Sequence, residues 1–189
     1  ATIGPLLLLA VPLLFLTWRQ WTQEQKGFAG LLALASVPQY LLWLAGVAQS
    51  ALLVQTRLLF TPTSNYQAAG IAVYKDSANY LMLGRAYCDT PAPTCVGNGI
   101  YFDHIEGNAV AGGNFAMSTT QTGESFLRIV KRGNTYTAYY SENGSAWTLV
   151  GAHAIGVALP YVGLTTTGDL SNAQIPADFD YFDISPPSN

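Results

Sequence analysis

The sequence predicts an all-β protein, a sandwich or barrel of antiparallel strands. Three observations carry that expectation. Short segments rich in Val, Ile, Thr, Tyr and Phe recur at regular spacing from residue 52 onward. Gly, Asn, Asp, Ser and Pro cluster between them, as turns require. After residue 57 no apolar pattern of helical period reaches a useful length.

The elements follow in order. Residues 52–60 (LLVQTRLLF) form a first strand, closed by the turn Thr61-Pro62-Thr63-Ser64-Asn65. Residues 67–75 (QAAGIAVYK) form the next. Asp76-Ser77-Ala78-Asn79 is turn chemistry, because Asp and Asn side chains bond nearby backbone. Residues 80–87 (YLMLGRAY) are its hairpin partner, with Tyr80, Met82 and Gly84 on one face and Leu81, Leu83 and Arg85 on the other. A loop is expected over 88–99, a strand over 100–105 and a turn region from Gly107 to Asn114. Further strands are expected over 115–120, 126–132, 135–141, 147–152, 161–167 and 177–184. Gly133-Asn134 and Asn143-Gly144 read as two-residue hairpin turns.

Composition excludes several classes. Half of the 189 residues are hydrophobic and 10% are charged, well below the roughly 25% of an ordinary domain. This is too apolar and aromatic for a disordered chain. Eight Lys+Arg and a net charge of −3 argue against nucleic-acid binding, which needs a basic patch.

Charge is unevenly placed: only Arg19, Glu24 and Lys26 fall within residues 1–56. The charge-free window 27–56 is long enough to span a bilayer, and with residues 1–18 it reads as a membrane hairpin turning at Arg19 and Lys26. Pro12 and Pro38 in mid-segment, with Gln39, Gln49 and Ser50, oppose that reading. The alternatives are buried sandwich strands or an apolar interface for a homo-oligomer or larger assembly.

The strand region carries a family resemblance. Asn65-Tyr66-Gln67-Ala68-Ala69-Gly70-Ile71-Ala72-Val73-Tyr74 followed by Asn79-Tyr80-Leu81-Met82-Leu83-Gly84-Arg85 is similar to a concanavalin A-like jelly roll. The resemblance is to the DUF1349-type domains and the C-terminal sandwich of family 43 β-xylosidases. Leu127 to Arg132 leading into Tyr136 to Ser141, Ser141 to Gly144 before Trp147 to Gly151, and Tyr161 to Leu164 before Ala177 to Phe182 follow in the family's order. The resemblance implies a jelly-roll β-sandwich of two antiparallel sheets. Trp18, Trp21 and Gly27-Phe28 would fill the family's first strands, which would make residues 1–189 one domain.

Cys88 and Cys95 flank a Pro-containing loop at a spacing that fits a disulfide; two free thiols are the alternative. An oxidised pair points to an extracellular or cell-surface protein. Asn143-Gly144-Ser145 is a glycosylation sequon that also suits a turn. Catalysis has little support. Catalytic relatives with this sandwich carry a Glu-x-Asp-x-x-Glu pattern, absent here, and no Gly-x-Ser-x-Gly occurs. Asp103 and Glu106 around His104 are the carboxylates placed to face each other. Asp178 and Asp180 share a strand face and, with Asp183 nearby, form a weak Ca²⁺ candidate; no other cofactor is expected.

A non-catalytic, carbohydrate-binding or accessory module is therefore expected. A self-assembling surface protein, a membrane-anchored ectodomain and a glycoside hydrolase are the alternatives. Sugars lay their C–H faces on aromatic rings while polar groups take their hydroxyls. Tyr80, Arg85, Tyr139, Trp147 and Arg128 are the leading residues for this, with Tyr74, Tyr87, Tyr101, Tyr140 and Asn79 in support.

Overall fold

Alternation of side chains across a pleated strand decides this architecture. In the computed structural model, which describes residues 51–92, 94–119, 123–168 and 173–187, eleven strands are described. They are β1 (Leu52–Leu59), β2 (Ala68–Asp76), β3 (Asn79–Ala92), β4 (Cys95–Glu106), β5 (Ala109–Val110) and β6 (Phe115–Ser118). The rest are β7 (Glu124–Arg132), β8 (Thr135–Ser141), β9 (Thr148–Ala154), β10 (Tyr161–Thr167) and β11 (Asp178–Ser185). They form two antiparallel sheets: a five-stranded sheet in the order β11-β1-β7-β8-β9, and a six-stranded sheet in the order β10-β2-β3-β4-β5, with β6 also on β4.

The sheets close on each other through one face each. From the five-stranded sheet come Val54, Leu58, Leu127, Ile129, Tyr136 and Ala138; from the other come Ala69, Ile71, Val73, Leu81, Leu83, Ile100 and Phe102. Burial of one such aliphatic side chain contributes about 1.5–3 kcal/mol, so this layer holds the sandwich together. At Gly151 of β9 the Phe115 ring of β6 lies so close that a Cβ would fall 2.2 Å from it, so only glycine lets the two strands meet there.

The turns follow local chemistry. Asp76 Oδ1 accepts the Ala78 amide (3.0 Å) and the Asn79 side-chain amide (2.7 Å), closing the β2–β3 hairpin as expected. Gly133-Asn134 joins β7 to β8, with Arg132 paired to Thr135 and Gly133 at φ +58. Gly107-Asn108, both at positive φ, closes β4 onto β5, the backbone that a type I′ turn demands.

Two expectations are corrected. The segment 88–99 is not a loop: β3 runs to Ala92 and β4 restarts at Cys95. Cross-strand pairing of Cys88 with Gly97, and a Cys88–Cys95 disulfide with Cα atoms 5.4 Å apart, carry the hairpin outward as a ribbon. Asn143-Gly144 is not a two-residue turn either, because β8 ends at Ser141 and β9 starts at Thr148. Asn143 Oδ1 accepts the Ser145 and Ala146 amides while Ser141 Oγ accepts the Asn143 and Gly144 amides, which stabilises a wider loop.

The single-domain reading and the membrane and interface readings of residues 1–56 lie outside the described residues, apart from 51–56, where β1 begins at Leu52. Among the described residues no helix is long and apolar enough to cross a membrane.

Candidate functional site

The outer face of the six-stranded sheet is assembled by register. Tyr161 of β10 lies opposite Tyr74 of β2, Tyr74 opposite Tyr80 of β3, Tyr80 opposite Ile105 of β4, and Ile105 opposite Val110 of β5. Neighbouring strands are about 4.8 Å apart, so three tyrosines stand side by side across the sheet. Tyr161 is 65% exposed and Tyr74 41%. The next two rows inward are mostly small. Gly163, Ala72 and Met82 lead to Asp103, and Thr165, Gly70 and Gly84 lead to Tyr101. Small side chains beside rings make a shallow floor beside an aromatic wall.

The polar groups of this face are of two kinds. The Tyr101 hydroxyl is held, donating to Gly97 O (2.7 Å) and accepting from the Val96 amide (3.0 Å). Tyr74, Tyr80, Tyr161 and Asp103 have no side-chain hydrogen bond to a described residue. Asp103 alternates with the buried Phe102 and His104, so it projects from the sheet on the tyrosine side. Burial pushes its carboxyl up to about 6. Burial also raises the Tyr80 hydroxyl, with a further contribution from the Asp103 charge.

On the outer face of the five-stranded sheet the arginines are engaged by neighbouring side chains. One row runs Asp183, Gln55, Arg128, Tyr139, Leu149. Arg128 donates from Nε (3.2 Å) and Nη2 (2.9 Å) to Gln55 Oε1, and its guanidinium lies 3.7 Å from the centre of the Trp147 ring. Arg57 pairs with Glu124 and with Asp180 (2.9 Å).

The interior holds the remaining charged candidate. Arg85 shares the parity of Leu81 and Leu83 and is 0% exposed. Its Nε donates to Asn98 Oδ1 (3.0 Å) and its Nη1 to Ser125 Oγ (3.1 Å), bridging the two sheets. Tyr140 is also buried, its hydroxyl 2.9 Å from Thr119 Oγ1. Nearby, the buried rings of His104 and His153 lie 5.1 Å apart between β4 and β9. His104 Nε2 stands 3.3 Å from Glu106, and His153 Nε2 is 3.3 Å from Phe102 O. Burial holds His153 below its usual value, and the neighbouring His104 adds to that.

The five leading residues thus occupy three places. Tyr80 is on one outer face, Arg128, Tyr139 and Trp147 are on the other, and Arg85 lies between the sheets. Of the supporting set, Tyr74 and Tyr101 join Tyr80, and Tyr140 joins Arg85. Asn79 is held in a turn, its Nδ2 on Asp76 and its Oδ1 accepting the Gly107 amide (3.2 Å). Asp103 and Glu106 do not form a pair, since odd and even positions of β4 face opposite ways and Glu106 accompanies His104. Asp180 pairs with Arg57 instead of joining Asp178, and no group of three His, Cys, Asp or Glu able to hold a metal occurs among the described residues.

The comparisons with known proteins bear on this sandwich directly. Residues 47–185 match the model of the β-xylosidase C-terminal concanavalin A-like domain. The chain belongs to this family. No curated protein sequence matches it. Among solved structures it resembles the family 43 protein BlXynB from Bacillus licheniformis, with a TM-score of 0.61 and 21% identity over 73% of this chain and 28% of that one. A xylan β-1,4-xylosidase from Bacillus halodurans gives a TM-score of 0.56 and 22% identity over 71% of this chain and 27% of that one. A functionally unknown protein from Saccharomyces cerevisiae gives 0.58 and 16% identity over 75% and 72% of the two chains. The match therefore spans under a third of the two bacterial chains. In this concanavalin A-like domain, the tyrosine row depends on pairing between β10 and β2, which are distant in sequence. That is why Tyr161 is absent from the sequence-derived binding set.

Proposed function

We propose that this domain is a non-catalytic carbohydrate-binding module that works outside the cell and takes a glycan on the outer face of its six-stranded sheet. One observation carries the reading: the exposed Tyr161 and Tyr74 and the half-buried Tyr80 stand in adjacent register, with hydroxyls that make no hydrogen bond to a described residue. A flat row of rings bordered by a few polar groups suits sugar rings, whose C–H faces are apolar and whose rims are hydroxylated. Membership of a β-xylosidase C-terminal family supports a glycan as ligand. The Cys88–Cys95 disulfide suits an oxidising compartment. Placement of Asp103 and Glu106 on opposite faces supports the non-catalytic part of the reading.

Calorimetric titration with xylohexaose tests it. Saturable binding that weakens about tenfold or more in Tyr74→Ala, with an unchanged circular dichroism spectrum, is the expected result; tenfold corresponds to about 1.4 kcal/mol. Binding that Tyr74→Ala and Tyr161→Ala both leave unchanged would remove this face from consideration.

A further inference from the structure

We propose that Asp103 sets the ligand class of this face: it admits neutral glycans and excludes those that carry anionic groups. This rests on the carbohydrate-binding reading above and deepens it.

Asp103 stands one row in from the tyrosines, opposite Met82 and between Tyr101 and Ile105 along its own strand. No hydrogen bond or ion pair to a described residue engages its carboxyl. The described basic residues of that sheet do not serve it. Lys75 lies at the end of β2 with Asp76 at 3.9 Å, and Arg85 projects to the opposite side of the sheet. Among the described residues, the face therefore offers a partly shielded carboxylate with no compensating cation.

A ligand laid over the tyrosine row would displace water from that carboxylate. A desolvated carboxylate needs replacement hydrogen-bond donors. Sugar hydroxyls supply them; a uronate or sulfate brings a second negative charge into a poorly screened site. Discrimination by an unfavourable contact is as effective as discrimination by a favourable one. The stability that an unpaired carboxylate costs is consistent with a group kept for binding.

Asp103 changes charge on this face between pH 5 and pH 8. The groups facing it are Tyr80 from β3 and Tyr101 from its own strand, with Tyr74 of β2 and Tyr161 of β10 further along the face. His104 and Glu106 lie together on the other side of β4. Burial raises the Tyr80 and Tyr101 hydroxyls further above their ordinary value. Burial holds the Asp103 carboxyl up at about 6, inside that pH range.

The test titrates the whole chain with xylohexaose and with hexagalacturonic acid, at pH 5 and pH 8, using wild type and Asp103→Asn. Both probes keep their own charge across this range. At pH 8 wild type should bind the neutral probe about tenfold or more tighter than the anionic one. That ratio should fall about threefold or more in wild type at pH 5, where Asp103 is largely protonated, and in Asp103→Asn at both values. The wild-type pH series needs no substitution, so it stands even if the variant folds poorly. A ratio unmoved by pH and by Asp103→Asn overturns this inference and leaves the carbohydrate reading in place. Failure of wild type to bind either probe overturns both.

Discussion

The two outer faces of the sandwich are made by the same strand alternation, yet they end in opposite chemical states. On the five-stranded sheet Arg57 and Arg128 are engaged by neighbouring side chains. Arg128 is bonded to Gln55 and stacked on Trp147, and Arg57 is clamped by Glu124 and Asp180. On the six-stranded sheet the three tyrosines in register and Asp103 have no side-chain hydrogen bond to a described residue. Aromatic content alone does not mark a binding face, since both faces have it. What separates the faces is charge: the two arginines of the five-stranded sheet are engaged by neighbouring side chains, whereas Asp103 of the six-stranded sheet is engaged by no described residue.

The largest expected effect comes from the residue between the two faces. If Arg85 served a surface site, Arg85→Ala would weaken ligand binding and leave the fold alone. Its burial against Asn98 and Ser125 predicts instead a loss of about 3 kcal/mol or more of unfolding free energy, because each orphaned buried partner costs about 1–3 kcal/mol. Urea denaturation reads this directly; an unchanged midpoint would mean that Arg85 is not a bridge between the sheets.

A smaller effect tests the end of the sandwich where β4 meets β9. His153 is held below its usual value, so it is neutral in the fold and takes up a proton more readily when unfolded. Its contribution to stability is therefore present above about pH 6.5 and lost as pH falls below that value. Asp103, raised to about 6, acts in the opposite sense: stability is lost as pH rises from the ordinary carboxylate range through about 6. Melting curves from pH 4 to 8 should show the acid-side loss reduced in His153→Gln and the neutral-side loss reduced in Asp103→Asn. Parallel curves for wild type and both variants would contradict these assignments.

The smallest effect belongs to the outer face of the five-stranded sheet. Trp147→Ala removes the ring under Arg128 and should cost about 0.5–1 kcal/mol, the range for an exposed cation–π contact. It should leave xylohexaose binding untouched.

Much of the fold was legible in the sequence because its signals are local. Period-two alternation sets the strands, and the Asp76 turn and the Gly133-Asn134 hairpin are short-range chemistry. The Cys88–Cys95 spacing signals a clamp, although the sequence alone left the ribbon it closes reading as a loop. The same alternation that put Leu81 and Leu83 inward already put Arg85 with them, so its parity argued against a surface role. What the sequence does not encode locally is which strands become neighbours. Tyr161 and Tyr74 are brought together only when β10 pairs with β2, and Trp147 is separated from Tyr80 only when β8 and β9 join the other sheet. The candidate site was therefore named residue by residue but distributed over three locations.

The central claim is that the outer face of the six-stranded sheet, not that of the five-stranded sheet, binds glycan. The most direct measurement compares xylohexaose affinity in wild type, in the double variant Tyr74→Ala/Tyr161→Ala and in Trp147→Ala, with each fold checked by circular dichroism. The expected result is binding abolished in the double variant and retained in Trp147→Ala. Binding retained in the double variant and lost in Trp147→Ala would move the site to the five-stranded sheet and contradict the account.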